Sequence, residues 1–374
     1  MSASAERRIP SLDGLRAISI TLVLISHLAG TKNFPLSAAA GNFLGLGEFG
    51  VVVFFVISGF LITGLLLDEV QRYGRIDLGR FYFRRTLRIF PPYYAFLICL
   101  LMAGALGSVT LNPSDGLRAA TYTSNYDLDR SWYVGHTWSL SVEEQFYLIW
   151  PAVLLVARTR RAILIAAAVV LLAPVIRVGE WMLLREYGYG VGHRFETIAD
   201  AIAIGCVLAG VRPLLHQTAW YPRLLASPAF ALVPLAAIAG NLLHDHPLPK
   251  FAMGMTLTHV GIALCLDWCV TFHEGRVGRV LNSAPFVYVG MLSYSLYLWQ
   301  QPFLHRGVES MVTTFPLNIT IVMALALMSY YLIERPSLAL RRSVERAWMG
   351  RRTAGAAPAP NAASEVLMPV EKAS

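Results

Sequence analysis

The sequence predicts an all-α polytopic membrane protein: a bundle of about ten transmembrane helices with both termini in the cytoplasm. Apolar runs of about 20 residues, enough to cross a bilayer core, recur along most of the chain. Of its 374 residues 56% are hydrophobic and only 14% are charged, whereas soluble domains average about a quarter charged residues. The net charge of +8 comes mostly from arginines between the apolar runs. Membrane topology explains that placement, so no nucleic-acid partner is predicted.

Ten apolar segments are predicted to span the membrane. In chain order they are 13–31, 48–68, 90–108, 139–157, 162–184, 197–211, 227–243, 252–271, 285–304 and 315–334. The tenth is expected to end at Glu334-Arg335-Pro336, because proline interrupts helical hydrogen bonding.

The distribution of basic residues sets the predicted orientation. With a cytoplasmic N-terminus, 23 basic residues fall inside, seven fall outside and Arg177 lies within a span. An even number of spans returns the C-terminus to the same side. The predicted location is the plasma (inner) membrane, and residues 341–374 are expected to form a tail that is basic at first and then disordered.

The first span carries Asp13, Arg16 and His27. Asp13 and Arg16 are three residues apart and can pair on one helix face. Arg16 and His27 are eleven residues apart, which places them on one face at a separation of about 16 Å along the axis. A titratable ring inside a membrane is costly and indicates function. The alternative is a buried histidine that only hydrogen-bonds a neighbouring helix.

Arg85 and Arg88 share a face at the predicted start of the third span. The helix dipole disfavours cations at that end. A bound anion would relieve this, because guanidinium groups and free backbone N–H groups both bind phosphate oxygens. The alternative is that these arginines serve topology and contact lipid headgroups.

Ser139, Glu143 and Tyr147 are spaced by four residues at the start of the fourth span and should line one helix face, with Gln145 beside them. Acidic residues near a helix start can simply cap it. Two adjacent glutamates followed by Gln145 exceed what a cap needs.

Three more charged residues fall in the middle of the chain. Arg177 and Glu180 are three residues apart and are expected to form an ion pair. Asp200 opens the sixth span and is expected to cap it or to contact a substrate.

All four cysteines lie within apolar spans, so neither disulfides nor a metal site is predicted.

Five stretches in a fixed order resemble the acyltransferase-3 family of integral membrane acyltransferases. The stretches are Ser11–Ala17 leading to His27, Phe54–Ile62, Phe81–Pro91, Thr137–Tyr147 and Ser293–Trp299. Each pattern is weak alone, whereas the ordered set is specific and covers nearly the whole folded chain. Residues 1–340 are therefore expected to form one transmembrane acyltransferase domain.

The resemblance implies a ten-helix bundle that moves an acyl group, usually acetyl, from cytosolic coenzyme A to a hydroxyl, usually on a carbohydrate. By position, His27 is the family's histidine, Arg16 its first-helix arginine, Arg85 and Arg88 its paired arginines, and Glu143 its motif glutamate. The implied partners are acyl-CoA as co-substrate, membrane lipids, and a polysaccharide, lipid-linked glycan or oligosaccharide acceptor. No permanently bound cofactor is implied.

Several roles stay open at this point. His27 is expected to act as a base or as a transient acyl carrier. Glu143 is expected either to orient His27 or to activate the acceptor. Asp13, Ser139, Gln145, Tyr147 and Asp200 are expected to support the acceptor side. Family members often place an arginine just before the aspartate, and here Arg194 is the candidate substitute.

Two other functions compete with this one. A secondary transporter would also have about ten spans and intramembrane His and Glu, but transporters usually show paired repeats and interrupted helices. The sequence shows neither, so the enzyme is favoured. Within the enzyme class, the acceptor could instead be a lipophilic metabolite such as a macrolide.

Overall fold

The structure, a computed structural model, describes residues 9–183 and 190–354, and these ranges contain helices and loops but no β-strand. The predicted all-α class is confirmed for this part of the chain. The main helices are α1 (Leu12–Leu28), α2 (Leu46–Tyr73), α3 (Leu78–Ala105), α4 (Thr137–Leu183), α5 (Phe195–Leu215), α6 (Leu232–Asn241), α7 (Met255–Thr271), α8 (Ala284–Gln300), α9 (Leu317–Ser329) and α10 (Arg335–Ala354).

Shorter helical segments connect the main helices. They are Ala38–Phe43, Asp115–Ala120, Ser124–Tyr126, Trp132–Val134, Trp220–Ala226, Pro228–Ala231, Leu242–Asp245, Pro247–Pro249, Lys250–Gly254, Arg276–Leu281, Met311–Thr313 and Tyr330–Glu334. Residues 355–374, most of the tail that is predicted to be disordered, lie outside the described residues.

Six helical stretches of the described chain are long and apolar enough to cross a membrane, or seven if a bent pair counts as one span. One of them, Trp132–Leu183, is broken at Arg158, whose φ of 62° and ψ of 161° are not helical. The predicted fourth and fifth spans lie on either side of that break. α1 and α8 have 17 residues each, the lower limit for crossing a bilayer. The count of ten spans and the cytoplasmic termini remain predictions.

The third predicted span begins much earlier than residue 90. α3 starts at Leu78, where the Asp77 side chain accepts a hydrogen bond from the Arg80 backbone N–H at 3.0 Å. The helix then continues through Pro91 and Pro92. Arg85 and Arg88 therefore lie inside α3, and the expectation that free N–H groups of a helix start surround them is wrong.

Proline has opposite effects in two other places. The predicted seventh span, 227–243, is not one straight helix, because the chain bends by 69° between Trp220–Ala226 and Pro228–Asn241. Ser227 there is extended, and Pro228 lacks the N–H that would continue the first helix.

The last span does not end at Pro336 as predicted. The π-helical turn Tyr330–Glu334 leads directly into α10, which contains Pro336.

The two ends of the bundle are fixed by contacts between α1 and the α8 region. At the first end, the Ser11 backbone N–H donates to Asn282 Oδ1 at 2.8 Å. At the other, His27 meets Gln300. We call these the arginine end, after Arg16, and the histidine end.

Backbone contacts at glycines join four of the helices. A Cβ atom on Gly59 of α2 would lie 1.9 Å from the Ile202 carbonyl oxygen of α5, and one on Gly205 of α5 would lie 2.2 Å from the Val56 oxygen of α2. Only glycine permits such an approach.

Similar contacts extend this arrangement through α1 to α8. A Cβ atom on Gly50 would lie 2.6 Å from the Ser19 oxygen of α1, and one on Gly290 of α8 would lie 2.0 Å from the Asp13 oxygen. We call α8, α1, α2 and α5, joined in that order, the glycine spine.

Gly59→Ala is expected to destabilise the protein by about 1–3 kcal/mol, because the added methyl group overpacks the contact between α2 and α5. Thermal unfolding of the purified protein in detergent measures this as a lower Tm. Gly64→Ala is the matched control on the same helix, since nothing lies within 4 Å of a Cβ atom there. Equal Tm values for the two variants would contradict the assigned contact.

Candidate active site

His27 lies in the last turn of α1, and its ring is held by Gln300 of α8. The distance from His27 Nδ1 to Gln300 Oε1 is 2.6 Å. The Gln300 Nε2 group donates to Gln301 Oε1 at 3.0 Å, so the amide oxygen faces the histidine. An amide oxygen only accepts, so Nδ1 carries the proton and the neutral ring keeps a lone pair on Nε2.

A tryptophan fixes the same ring from another direction. Trp132 contacts His27 edge to face at a centroid distance of 5.5 Å. The Trp132 Nε1–H donates to the Gln301 carbonyl oxygen at 2.8 Å. Both contacts were missed from sequence, where the recognised motif ends at Trp299. Two glutamines at the end of an apolar helix were the available signal.

Glu143 lies in α4 and accepts hydrogen bonds from the Ser58 and Tyr147 hydroxyl groups. The two hydroxyl oxygens are themselves 3.1 Å apart. The predicted shared face of Glu143 and Tyr147 is confirmed. Within the described residues, Gln300 rather than Glu143 contacts the Nδ1 atom of His27, and the role of Glu143 stays a prediction.

Tyr147 also contacts the predicted arginine group. The Arg85 guanidinium carbon lies 4.6 Å from the centroid of the Tyr147 ring and 5.9 Å from that of Phe81. Such cation–π contacts stabilise a positive charge in an apolar setting. The arginine pair of α3 and the glutamate motif of α4 therefore meet inside the bundle, where Tyr147 lies between Arg85 and Glu143.

Three guanidinium groups converge toward the arginine end. Arg16 pairs with Asp13 at 3.0 Å, as predicted. Arg16 and Arg85 each interact electrostatically with Arg88. Among the described residues, no carboxylate lies at ion-pair distance from Arg85 or Arg88. Glu143 and Glu144 act on Arg85, and Glu334 on Arg88, only at longer range. The N–H groups of Arg85 and Arg88 can therefore bind a polyanionic ligand.

Ser139 and Gln145 lie apart from the three guanidinium groups. The Ser139 hydroxyl is 2.6 Å from the Tyr297 hydroxyl of α8. The Gln145 amide donates to the Tyr122 carbonyl oxygen at 2.8 Å and to Asn125 Oδ1 at 2.9 Å. Gln145 therefore anchors the segment between α3 and α4, and the structure does not bring it to His27.

Asp200 is completely buried and belongs to a separate polar cluster. Arg177 Nη1 lies 2.9 Å from both of its carboxylate oxygens, and His259 Nδ1 lies 3.0 Å from Oδ2. Asp200 is not a cap, since α5 begins five residues earlier at Phe195.

The predicted pair of Arg177 with Glu180 is wrong, because Arg177 points across to α5 and Glu180 binds Arg194. Arg194 is thus not the partner of Asp200, and Arg177 takes that place. Within residues 9–183 and 190–354, no group of three or more His, Cys, Asp or Glu is placed to hold a metal ion.

Comparisons with known proteins agree with these motifs. The acyltransferase-3 family model, described as an acyltransferase domain, matches residues 9–334. Peptidoglycan O-acetyltransferase OatA of Listeria monocytogenes is 27% identical over 373 residues, covering 89% of this chain and 56% of the relative. The putative peptidoglycan O-acetyltransferase YrhL of Bacillus subtilis is 28% identical over 369 residues, covering 88% of this chain and 55% of the relative.

O-acetyltransferase OatA of Staphylococcus aureus is 27% identical over 368 residues, covering 88% of this chain and 57% of the relative. The chain thus spans just over half the length of these curated relatives. No solved structure matches it significantly. Because the family model covers most of the chain, including His27, Arg85, Arg88 and Glu143, the protein belongs to the acyltransferase-3 family.

Proposed function

We propose that the protein is a membrane O-acyltransferase that moves an acetyl group from cytosolic acetyl-CoA to a hydroxyl of a carbohydrate. One observation carries the proposal. Arg85 and Arg88, which form no ion pair with a described residue, lie beside Arg16, and a histidine with an anchored ring lies about 16 Å from Arg16 along α1. The names of the three relatives, all O-acetyltransferases and two of them acting on peptidoglycan, support a carbohydrate acceptor.

The donor would enter at the arginine end, which we place in the cytosol. Acyl-CoA carries several phosphate charges, and Arg85 and Arg88, with Arg16 beside them, would bind them. The pantetheine arm, about 15–20 Å long by ordinary bond lengths, would then reach along α1 to His27. The donor is a co-substrate that leaves as free CoA.

His27 would act as the base. Its Nε2 atom takes the proton of the acceptor hydroxyl as the hydroxyl oxygen attacks the acetyl carbonyl carbon. The C–S bond then breaks, the C–O ester bond remains, and the proton passes from His27 to the departing thiolate. Gln300 supports this role, since its amide oxygen stabilises the imidazolium that a base becomes. Glu143, with Ser58 and Tyr147, would bind the acceptor.

Arg85→Ala and Arg88→Ala are each expected to raise the KM for acetyl-CoA by about 10–100-fold. Each variant loses charged hydrogen bonds worth about 1.5–3 kcal/mol. CoA release at varied acetyl-CoA concentration measures this. Arg75→Ala is the control, because Arg75 is exposed in the loop before α3. Wild-type KM values in both variants would place the phosphates elsewhere.

The function itself is tested with labelled acetyl-CoA and membranes that carry the wild-type protein. CoA release should accompany label in the polysaccharide or lipid-linked glycan fraction. Label confined to a solvent-extractable small molecule would instead indicate a lipophilic metabolite as acceptor. Movement of a solute across sealed vesicles without any CoA release would favour the secondary transporter.

A further inference from the structure

A second histidine is buried close to His27, and among the described residues its ring nitrogens make no hydrogen bond of normal geometry. His136 directly precedes α4 and is 3% exposed. Its ring packs against Phe96 and Tyr297, each at a centroid distance of 5.4 Å. A buried polar group without a partner is unfavourable in the absence of a ligand.

The position of His136 relates it to the proposed reaction centre. Tyr297 and Gln300 are three residues apart on α8 and share one face. His136 packs on Tyr297 while His27 binds Gln300, so the two imidazoles are neighbours along α8. They also interact electrostatically. Trp132, from the same segment as His136, contacts His27 directly.

We propose that His136 is a catalytic residue that donates a hydrogen bond to the oxyanion of the acetyl transfer. The inference rests on the proposed function. As the acceptor oxygen attacks, the carbonyl C=O electron pair moves onto oxygen and His136 N–H binds the resulting O⁻. When the C–S bond breaks, the carbonyl re-forms and the hydrogen bond weakens. His136 gains and loses no proton, and His27 carries the acceptor's proton to the thiolate.

The surroundings of His136 favour a donor over a second base. Phe96 and Tyr297 enclose the ring with apolar surface, which favours its neutral form. A neutral imidazole still presents one N–H. Donors held in a dry site stabilise a developing oxyanion strongly, since they need no reorganisation during the reaction.

The test compares two variants that differ in one property. His136→Gln keeps an N–H donor but cannot act as a base, whereas His136→Phe keeps an aromatic ring between Phe96 and Tyr297 but has no donor. CoA release from acetyl-CoA is measured with peptidoglycan muropeptides as acceptor. His246→Gln, on the exposed segment before α7, is the control. Tm values in detergent check that each variant is folded.

We expect His136→Phe to lose about 10²–10³ in kcat, as when one oxyanion donor is removed, at unchanged KM for acetyl-CoA. His136→Gln should keep most of the activity and the wild-type dependence of kcat on pH. Equal loss in both folded variants, or a changed pH profile in His136→Gln, would overturn the donor role. Wild-type rates in both variants would overturn it as well. If His136→Phe does not fold, His136→Leu replaces it.

Failure of the inference is distinguishable from failure of the proposed function. In the first case the wild-type protein releases CoA and labels the muropeptides, while the His136 variants depart from the expected pattern. In the second case the wild-type protein itself transfers no label from acetyl-CoA to any glycan fraction, and the inference falls with it.

Discussion

His27→Ala is expected to abolish detectable acetyl transfer. The variant loses the only atom to which the mechanism assigns proton transfer, the Nε2 lone pair. General acid–base catalysis by one positioned group contributes about 10²–10⁴ to the rate. The loss should appear in kcat, because the arginines that would bind the donor are unchanged: Arg16 lies about 16 Å from His27 along α1, and Arg85 and Arg88 stand on α3. Release of free CoA and transfer of labelled acetyl to the glycan fraction are the measurements.

Donor binding provides the control for this variant. His27→Ala should bind acetyl-CoA with the affinity of the wild-type protein, whereas the Arg85→Ala and Arg88→Ala variants should bind it weakly. Gln300→Leu should lower kcat less than His27→Ala does, since the histidine is still present but loses its anchor. A His27→Ala protein that transfers acetyl at the wild-type rate would refute the mechanism.

Asp200→Ala is expected to cost about 3–5 kcal/mol of stability, because it leaves the fully buried Arg177 guanidinium without its carboxylate. The pair has no exposed surface on either side chain, so water cannot replace the missing partner. Thermal unfolding in detergent should show a large fall in Tm. Arg177→Met should also be destabilising, since the buried carboxylate loses its bidentate partner and keeps only His259 and Thr256.

Two comparisons make this second prediction specific. The double variant Arg177→Met with Asp200→Leu should recover much of the loss, because replacing both charges leaves neither one unpaired. Asp68→Ala removes the partner of Arg72 in an exposed ion pair, 58% and 59% accessible, and should cost no more than about 1 kcal/mol. Equal Tm changes for Asp200→Ala and Asp68→Ala would contradict the assigned burial.

Sequence reasoning succeeded where partners lie on one helix. The Asp13–Arg16 ion pair and the shared face of Glu143 and Tyr147 follow from helical periodicity alone, and the structure contains both. Apolar run length predicted the α class in the same way. These features are local and depend on geometry that every α-helix shares.

Contacts between helices could not be predicted in that way. Periodicity gives the face on which Arg177 lies, but not which helix packs there. Its partner is therefore Asp200, 23 positions away, rather than Glu180 three positions away. The same reason hid Gln300 as the partner of His27, 273 positions away.

Proline misled the prediction of helix boundaries. Pro336 was predicted to end the last span, but it lies within α10. The π-helical turn Tyr330–Glu334 precedes it directly, and the helix continues through the proline. At Pro228 the missing N–H ends the first helix, and the chain bends there. Proline has the same chemistry at Pro336 and Pro228, so the surroundings decide whether the helix continues or ends.

Because of the glycine spine, the part of the candidate site around His27 is more rigid than the part around Arg85. His27, Gln300 and Ser58 stand on helices that touch backbone to backbone, with no layer of side chains that could yield between them. Arg85 stands on α3, which packs through bulky rings such as Phe96, and side-chain rotation can absorb small shifts of that helix. The spacing of His27 and its anchor therefore has a narrow mechanical tolerance. Arg85 and Arg88, both on α3, can follow donors of somewhat different shape without disturbing it.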